Sequence, residues 1–483
     1  MISSADFLPL VPELFVLTAA CALLLTDLFV SQSRRGLIHF LSLAILLAAA
    51  VLTARGVPGI ELPVRVFSGA FQRDAVGDAL KIFIYLVTFG VFVYAKPYLK
   101  ERGLFTGEFY LLALFSMLGM MLMVSAGNLV TGYLGLELLA LSSYALVALD
   151  RDNKFASEAA MKYFVLGALA SGMLLYGMSM LYGATGTLDL ARLYEAASAT
   201  SGDERTLLLF GVVFVIAGIA FKFGAAPFHM WLPDVYQGAP TAITLFIGSA
   251  PKLAAFGLAY RLFDNGVGGI DGDWRVALAW LALLSMAIGN VVAIAQTNIK
   301  RMLAYSTVSH VGFLLLGLAN GSAEGYAASM LYAICYALMS AGSFAAIILL
   351  SRKGFEAENI SDYAGLFRTH PWFAGMILLL MASLAGFPPL FGFWAKLAVI
   401  RAALDADLLW LAIAAMVFAV IGAYYYLRVV KVMFFDAPHE DVKIVPQTDP
   451  QLRWLFSANA LAMLVLGIFW SPLLNLCIAA FQH

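Results

Sequence analysis

Runs of about twenty apolar residues, the length of α-helix that crosses the roughly 30 Å hydrocarbon core of a bilayer, recur about fourteen times in this chain. In the first half they fall near 7–29, 37–54, 77–95, 108–125, 128–149, 156–183 and 206–223. In the second half they fall near 241–263, 275–296, 301–320, 323–350, 371–403, 408–435 and 455–479. Lipid offers no partner to a backbone amide or carbonyl, so each run must satisfy its own hydrogen bonds as a helix. The expected fold is therefore an all-α integral membrane protein of about fourteen spans. Composition closes off the alternative: 62% of the 483 residues are hydrophobic and 12% charged, against about 25% charged in soluble proteins. No Gly-, Ser- and Pro-rich stretch is long enough to separate two domains, so a single membrane domain is expected.

The rest of the chain narrows the chemistry. A net charge of -1 provides neither a basic patch for nucleic acid nor an acidic block for a cationic partner. Cys21, Cys335 and Cys477 each stand alone in apolar runs, without metal-ligand spacing, and read as small buried hydrophobes. GxGxxG, GxxxxGK[ST] and HExxH patterns are missing, so the energy source is expected outside the chain. Residues 1–6 carry no basic residue and no AxA site follows the first run, so that run reads as a retained span rather than a leader. With the N-terminus outside, sixteen loop Lys and Arg residues, from Arg34 to Lys443 and Arg453, collect on the cytoplasmic side and eight on the other. Both termini are thus expected away from the cytoplasm. Val64 to Asp74 alternates around a Ser-Gly turn and reads as a small hairpin over the outer face.

At an offset of 169 residues, Ala159, Met161, Tyr163, Ala168, Leu169 and Ser171 match Ala328, Met330, Tyr332, Ala337, Leu338 and Ser340. That offset spans an odd number of crossings, so two copies would lie inverted in the membrane. One span in each putative half is also interrupted, at Gly224-Ala-Ala-Pro227 and at Gly386-Phe-Pro388-Pro389. Glycine and proline free backbone groups at membrane depth, which only protein or a watery cavity can satisfy. A packing kink is the plainer reading of either break alone, but each has a lysine close by.

A charge at the bilayer centre costs at least about 2.5–3.5 kcal/mol and so calls for a buried partner or a water path. Glu137 lies mid-span, Lys222 closes the seventh span before its break, Lys252 follows Pro251 in the eighth, and Lys396 follows the second break. Lys162 lies early in the sixth span, and His229 and His310 stand beside the first break and in the tenth span. A carboxylate, lysines and imidazoles together suit a proton relay, in which a Glu137–Lys222 pair would hold or release a proton toward Lys252, with the histidines bridging through water. Lys81 reads instead as a snorkelling anchor, and Glu13 and Asp27 as interfacial. For Lys162 and His310 a purely structural role weighs more heavily than for the other candidates.

Four segments, LGLELLALSSYAL around Glu137, Phe221 to Lys252, Asn298 to Phe313, and AGFPPLFGFWAK ending at Lys396, together resemble the antiporter-like membrane subunits of bacterial respiratory complex I and of multisubunit sodium/proton antiporters. Lysine rather than glutamate at 396, and the lack of a long extra C-terminal helix, place the chain in one branch of that family. The resemblance implies two inverted five-helix units, at 106–265 and 266–436, after three N-terminal helices in 1–105 and before a loop and last helix in 437–483. It implies Glu137 and Lys222 as a coupling pair, Lys252 with His229 and His310 as a hydrated axis, Lys162 beside the intake half, and Lys396 toward the periplasmic exit. It further implies a bacterial inner-membrane location and no cofactor in this chain, with NADH, FMN, iron–sulfur clusters and quinone in partner subunits. The partners implied are peripheral subunits, adjacent antiporter-like and small membrane subunits, and membrane lipids. An antiporter-complex subunit and an inert membrane scaffold are the rival readings.

Overall fold

The computed structural model describes residues 4–56, 62–438 and 445–482, so that Lys443 and the ends 1–3 and 483 of the sequence reading lie outside the described residues. The first half runs α1 (Val11–Phe29), α2 (Gly36–Arg55), α3 (Ala75–Glu101), α4 (Gly107–Val124), α5 (Leu129–Val147), α6 (Lys154–Thr185), α7 (Leu190–Ala199), α8 (Gly202–Phe223), α9 (Trp231–Gly238), α10 (Thr241–Gly248) and α11 (Ala250–Tyr260). The second runs α12 (Asp271–Ile294), α13 (Ile299–Leu318), α14 (Ala323–Leu350), α15 (Leu366–Thr369), α16 (Pro371–Ala385), α17 (Phe391–Asp405), α18 (Leu409–Phe435), α19 (Pro450–Ile468) and α20 (Ser471–Ala480). Among the described residues, thirteen helical segments are long and apolar enough to cross a membrane. The twelfth expected span is split into α16 and α17, fifteen residues each.

Burial places the centre of the molecule. The α10–α11 segment, α13 and α14 are enclosed almost completely, whereas α1, α6, α18 and α19 leave most of their length on the periphery. Gly119 brings α4 against α5 so closely that a Cβ there would lie 2.5 Å from the Leu139 amide nitrogen. Gly289 does the same for α12 against α13, where a Cβ would lie 2.5 Å from the Ser309 nitrogen. Leu129 N–H donates to the Leu188 carbonyl at 3.0 Å, and Ile299 N–H to the Glu358 carbonyl at 2.6 Å. Asn128 and Asn298 cap the helices that follow, accepting from Thr131 N–H (2.7 Å) and Arg301 N–H (3.1 Å). Corresponding residues in these pairs stand 170 positions apart.

Several features depart from the sequence reading. The eighth span is itself broken at Ser249, because Pro251 at the start of α11 has no N–H with which to continue α10. The last span splits in the same way ahead of Pro472. Between α6 and α8 lies the amphipathic α7, capped by Asp189 and burying Leu190, Leu193 and Ala197. Cys335 and Cys477 are buried as expected, but Cys21 is exposed on α1. The expected hairpin is present as β1 (Val64–Val66) and β2 (Phe71–Arg73), with Val64 opposite Arg73 and Val66 opposite Phe71. Gln72 N–H donates to the Ser125 carbonyl at 2.9 Å, which ties the hairpin over the α4–α5 turn.

The reading of Lys81 as a snorkelling anchor and of Glu13 as interfacial is corrected. Lys81 is wholly enclosed and pairs with Glu13 at 2.6 Å, with Asp78 at 3.7 Å. Asp78 in turn accepts from Arg73 at 2.9 and 3.2 Å, and Phe71 of the hairpin lies 5.4 Å from the Lys81 ammonium. Hairpin, α1 and α3 enclose the side chain before it can reach water. Beside this cluster Asp74 caps α3 and binds Arg261 through two bonds of 2.5 and 2.7 Å. Burial alone would raise the Asp74 carboxyl, but the Arg261 guanidinium and bonds from Gly77 N–H and Gln72 outweigh it and hold the group below the usual carboxylate value.

Candidate functional site

The two expected breaks share one local design. α8 ends on Gly224 (φ 78°, ψ 34°) and α16 on Gly386 (φ 89°, ψ 40°), a left-handed backbone that glycine adopts without steric cost. The last carbonyls of each helix then have no partner within the helix, and Pro227 and Pro388-Pro389 prevent it from resuming directly. A lysine from a following helix fills the gap. Lys252 Nζ, on α11, donates to the Phe223 carbonyl at 2.7 Å. Lys396 Nζ, on α17, donates to the Leu384 and Ala385 carbonyls, each at 2.9 Å. A helix C-terminus carries the negative end of the dipole and favours a cation there.

Aromatic faces complete both pockets, with Lys252 5.6 Å from the Trp231 ring and Lys396 5.2 Å from Phe313. Serine hydroxyls hold the backbone around each break, accepting from Ala226 N–H (Ser285 Oγ, 2.9 Å) and from Gly392 N–H in the first turn of α17 (Ser383 Oγ, 3.1 Å). Neither lysine is among the ion pairs formed by the described residues. An amine in this position donates to the carbonyls whether charged or neutral, so a proton can leave without the side chain losing its place.

Glu137 and Lys222, expected as a pair, are neighbours without direct contact: no ion pair within 4.0 Å joins them among the described residues. The Glu137 carboxylate instead accepts from the Ser171 hydroxyl of α6, which also meets Tyr133 at 3.1 Å. Ser171 and Lys222 line one narrow cleft with Gly218, Phe221 and Trp231. The charge of Glu137 acts on Lys222, and that of Lys222 on Lys252.

The remaining candidates fall into two places. Lys162 is half exposed and pairs with Glu158 and Asp234, each at 2.8 Å, while Arg301 reaches Asp234 at 2.9 Å. Lys162, Glu158 and Asp234 line a polar cavity of about 410 Å³ that also meets Arg102, Lys300 and Glu356. His229 is half buried, its ring 6.2 Å from that of Tyr305, and its Nδ1 has no hydrogen-bond partner among the described residues. His310 is buried and makes no hydrogen bond to a lysine among the described residues; its Nδ1 lies 2.7 Å from the Tyr332 hydroxyl and its Nε2 3.0 Å from that of Tyr426. Lys396 is the charge that acts on it.

The structure adds residues that the sequence did not single out. Lys300, counted among the loop cations, is buried and donates to the Gln237 and Ala239 carbonyls (2.9 and 2.8 Å), closing the end of α9 as Lys252 and Lys396 close α8 and α16. Ser285 and Tyr426 look in the sequence like ordinary span residues, and Ser171 and Tyr332 stand out there only as matches in the 169-residue offset. Asp234 alone left a signal, as a carboxylate in the apolar run WLPDVY. Among the described residues, no group of three or more His, Cys, Asp or Glu side chains is placed to hold a metal ion.

Comparison with known proteins places this geometry. Residues 126–422 match the family described as NADH:quinone oxidoreductase/Mrp antiporter, TM. A protein of Xanthomonas euvesicatoria named NADH-quinone oxidoreductase subunit N is 57% identical over 480 residues, covering 99% of this chain and 97% of its own. A chain of respiratory complex I from Thermus thermophilus, solved with bound aureothin, superposes with a TM-score of 0.81 at 31% identity, over 96% of this chain and 98% of that one. A chain of the Mrp complex from a Dietzia species has a TM-score of 0.81 at 24% identity, over 99% and 96% of the two chains, a likeness of fold.

Proposed function

This chain belongs to the NADH:quinone oxidoreductase/Mrp antiporter membrane family, and from that premise we propose how its buried charges work. It is a multi-pass membrane subunit of a proton-translocating NADH:quinone oxidoreductase, of the subunit N type, and its partners are the other subunits of that complex. NADH, flavin, iron–sulfur clusters and quinone belong to those subunits, and no redox step runs through this chain. The antiporter-complex reading is weaker, since its structural counterpart supports the fold alone.

Within that role, Glu137 senses the state of the neighbouring subunit and sets the charge felt by Lys222, which controls Lys252. His229 and His310 carry the proton across the centre, Lys162 with Asp234 marks the intake side, and Lys396 passes the proton to the periplasmic exit. The observation that carries this reading is that Lys252 and Lys396, with no carboxylate partner among the described residues, are each folded onto the carbonyl end of a broken helix. Electrostatic control from Glu137 needs no direct ion pair, because a charge acts through several ångströms of low-dielectric interior. The bonds that recur 170 residues apart support two inverted five-helix units, at 106–265 and 266–436. Three N-terminal helices in 1–105 and the segment 437–483 flank them. The inner membrane is the location, with both termini on the periplasmic side, a reading that the excess of loop Lys and Arg on the other side supports.

The test is proton pumping against NADH–quinone turnover in inverted vesicles carrying Lys222→Ala in an assembled complex. Reduced pumping or coupled turnover is expected. Wild-type levels of both would make the lysines structural.

A further inference from the structure

His310 is the most completely enclosed imidazole of the site, and both its ring nitrogens face tyrosine hydroxyls: Tyr332 of α14 at Nδ1 (2.7 Å) and Tyr426 of α18 at Nε2 (3.0 Å). The Tyr426 hydroxyl is also bonded to the Ser306 hydroxyl, one helical turn from His310 on α13. All four groups are buried. A neutral imidazole has one N–H and one lone pair, and a phenol can donate and accept at once. The row Tyr332–His310–Tyr426–Ser306 is therefore an unbroken line of groups that each hold one transferable proton, drawn from three helices.

We propose that Tyr332 and Tyr426 are the groups through which His310 receives and passes on its proton, rather than packing around it. The proposal rests on the relay reading above. In one passage, a proton reaching the Tyr332 oxygen releases the phenolic proton to the Nδ1 lone pair. The Nε2–H passes to the Tyr426 oxygen, and the Tyr426 proton moves on to Ser306, whose own proton leaves. Each oxygen gains one proton and loses one, and the imidazole finishes in its other tautomer, so no tyrosinate is left behind. Rotation of the hydroxyls and return of the ring to its first tautomer must precede the next passage.

The charged and titratable groups that face His310 are Lys396 of α17, Tyr332 and Tyr336 of α14, and Tyr426 of α18. Tyr336 supplies an internal control. Its ring centroid is 5.0 Å from that of His310, yet its hydroxyl donates to Thr307 at 2.7 Å and touches neither ring nitrogen.

The experiment uses the whole complex in inverted vesicles, with Tyr332→Phe, Tyr426→Phe, Tyr336→Phe and Lys222→Ala compared for pumping rate in H2O and D2O. Tyr332→Phe and Tyr426→Phe are each expected to slow coupled pumping about tenfold or more and to enlarge its solvent isotope effect, since proton transfer by a positioned group contributes about 10²–10⁴-fold. Tyr336→Phe is expected to stay within about twofold, because it breaks no bond in the line. If Lys222→Ala slows pumping while Tyr332→Phe and Tyr426→Phe do not, or if Tyr336→Phe slows it equally, the proposal is overturned and the relay stands. If Lys222→Ala also leaves pumping intact, the relay itself fails. Should a Phe variant not assemble, fluorotyrosine at 332 and 426 keeps the shape and lowers the phenol pKa. A changed pumping rate or solvent isotope effect supports the line, because a more acidic phenol donates better and accepts less well, and an unchanged rate and isotope effect overturn it.

Discussion

Removing the Glu13 carboxylate should unsettle the first three helices through Lys81 rather than through Glu13 itself. Lys81 is fully enclosed, with Glu13 at 2.6 Å and Asp78 at 3.7 Å, and Asp78 is already engaged by Arg73. With an effective dielectric constant of about 20, the 2.6 Å contact is worth about 6 kcal/mol of gross attraction, of which desolvation of the two ions takes back a large part. Breaking a buried pair by deleting one partner costs about 3–5 kcal/mol, because the other charge is left uncompensated. Glu13→Leu should therefore lower the thermal midpoint by about 3–5 °C. Glu13→Leu with Lys81→Met removes both ions and should recover most of that loss, since an apolar replacement of a buried pair is often neutral or stabilising. A thiol-reactive fluorophore on the purified protein reads the transition, because Cys335 and Cys477 are buried until unfolding. Cys21 is exposed and is replaced by serine in every variant to remove its background. A Glu13→Leu midpoint equal to that of the parent, or a double variant no better than the single one, would refute the argument.

Three further outcomes follow from the geometry. Lys396→Met leaves the Leu384 and Ala385 carbonyls without their donor, and coupled pumping in vesicles should fall severalfold while the assembled complex still oxidises NADH with an artificial acceptor. Arg261→Met should destabilise the protein near pH 7 and make its midpoint rise as pH falls toward 4. Without the guanidinium, the buried Asp74 carboxyl goes from below its unfolded value to above it, so the folded state then binds more protons than the unfolded one. The parent should show no such recovery on acidification, because its lowered carboxyl contributes stability that is lost only as pH falls through that value. Gly119→Val should reduce assembly of the complex on native gels, since its Cβ would lie 2.5 Å from the Leu139 nitrogen and 2.6 Å from the Gly135 carbonyl oxygen, backbone atoms that yield only if α4 and α5 separate.

The spans, the two glycine–proline breaks and the identity of the isolated charges could be read from the chain, and each has a direct cause. Twenty apolar residues must be helical in lipid, and Gly386 before Pro388-Pro389 cannot be continuous helix. Glu137, Lys222 and Lys396 stood out because nothing near them in the sequence offsets the cost of burial. The break at Ser249 is not legible because Pro251 stands there without the positive-φ glycine that ends α8 and α16, and the burial of Lys81 is not, because its partner Glu13 lies 68 residues away.

What only the tertiary structure decided is which group each charge meets. Sequence marks a lysine as lying within a span, because hydropathy is a local property summed along one helix. Whether that lysine meets a carboxylate, as Lys81 does, or the open carbonyls of a broken helix, as Lys252 and Lys396 do, depends on side chains and backbone from other helices. The two phenols on His310 are the clearest case, since they come from α14 and α18, 22 and 116 residues further along the chain. No local pattern encodes a contact between helices so far apart, and packing alone brought them together.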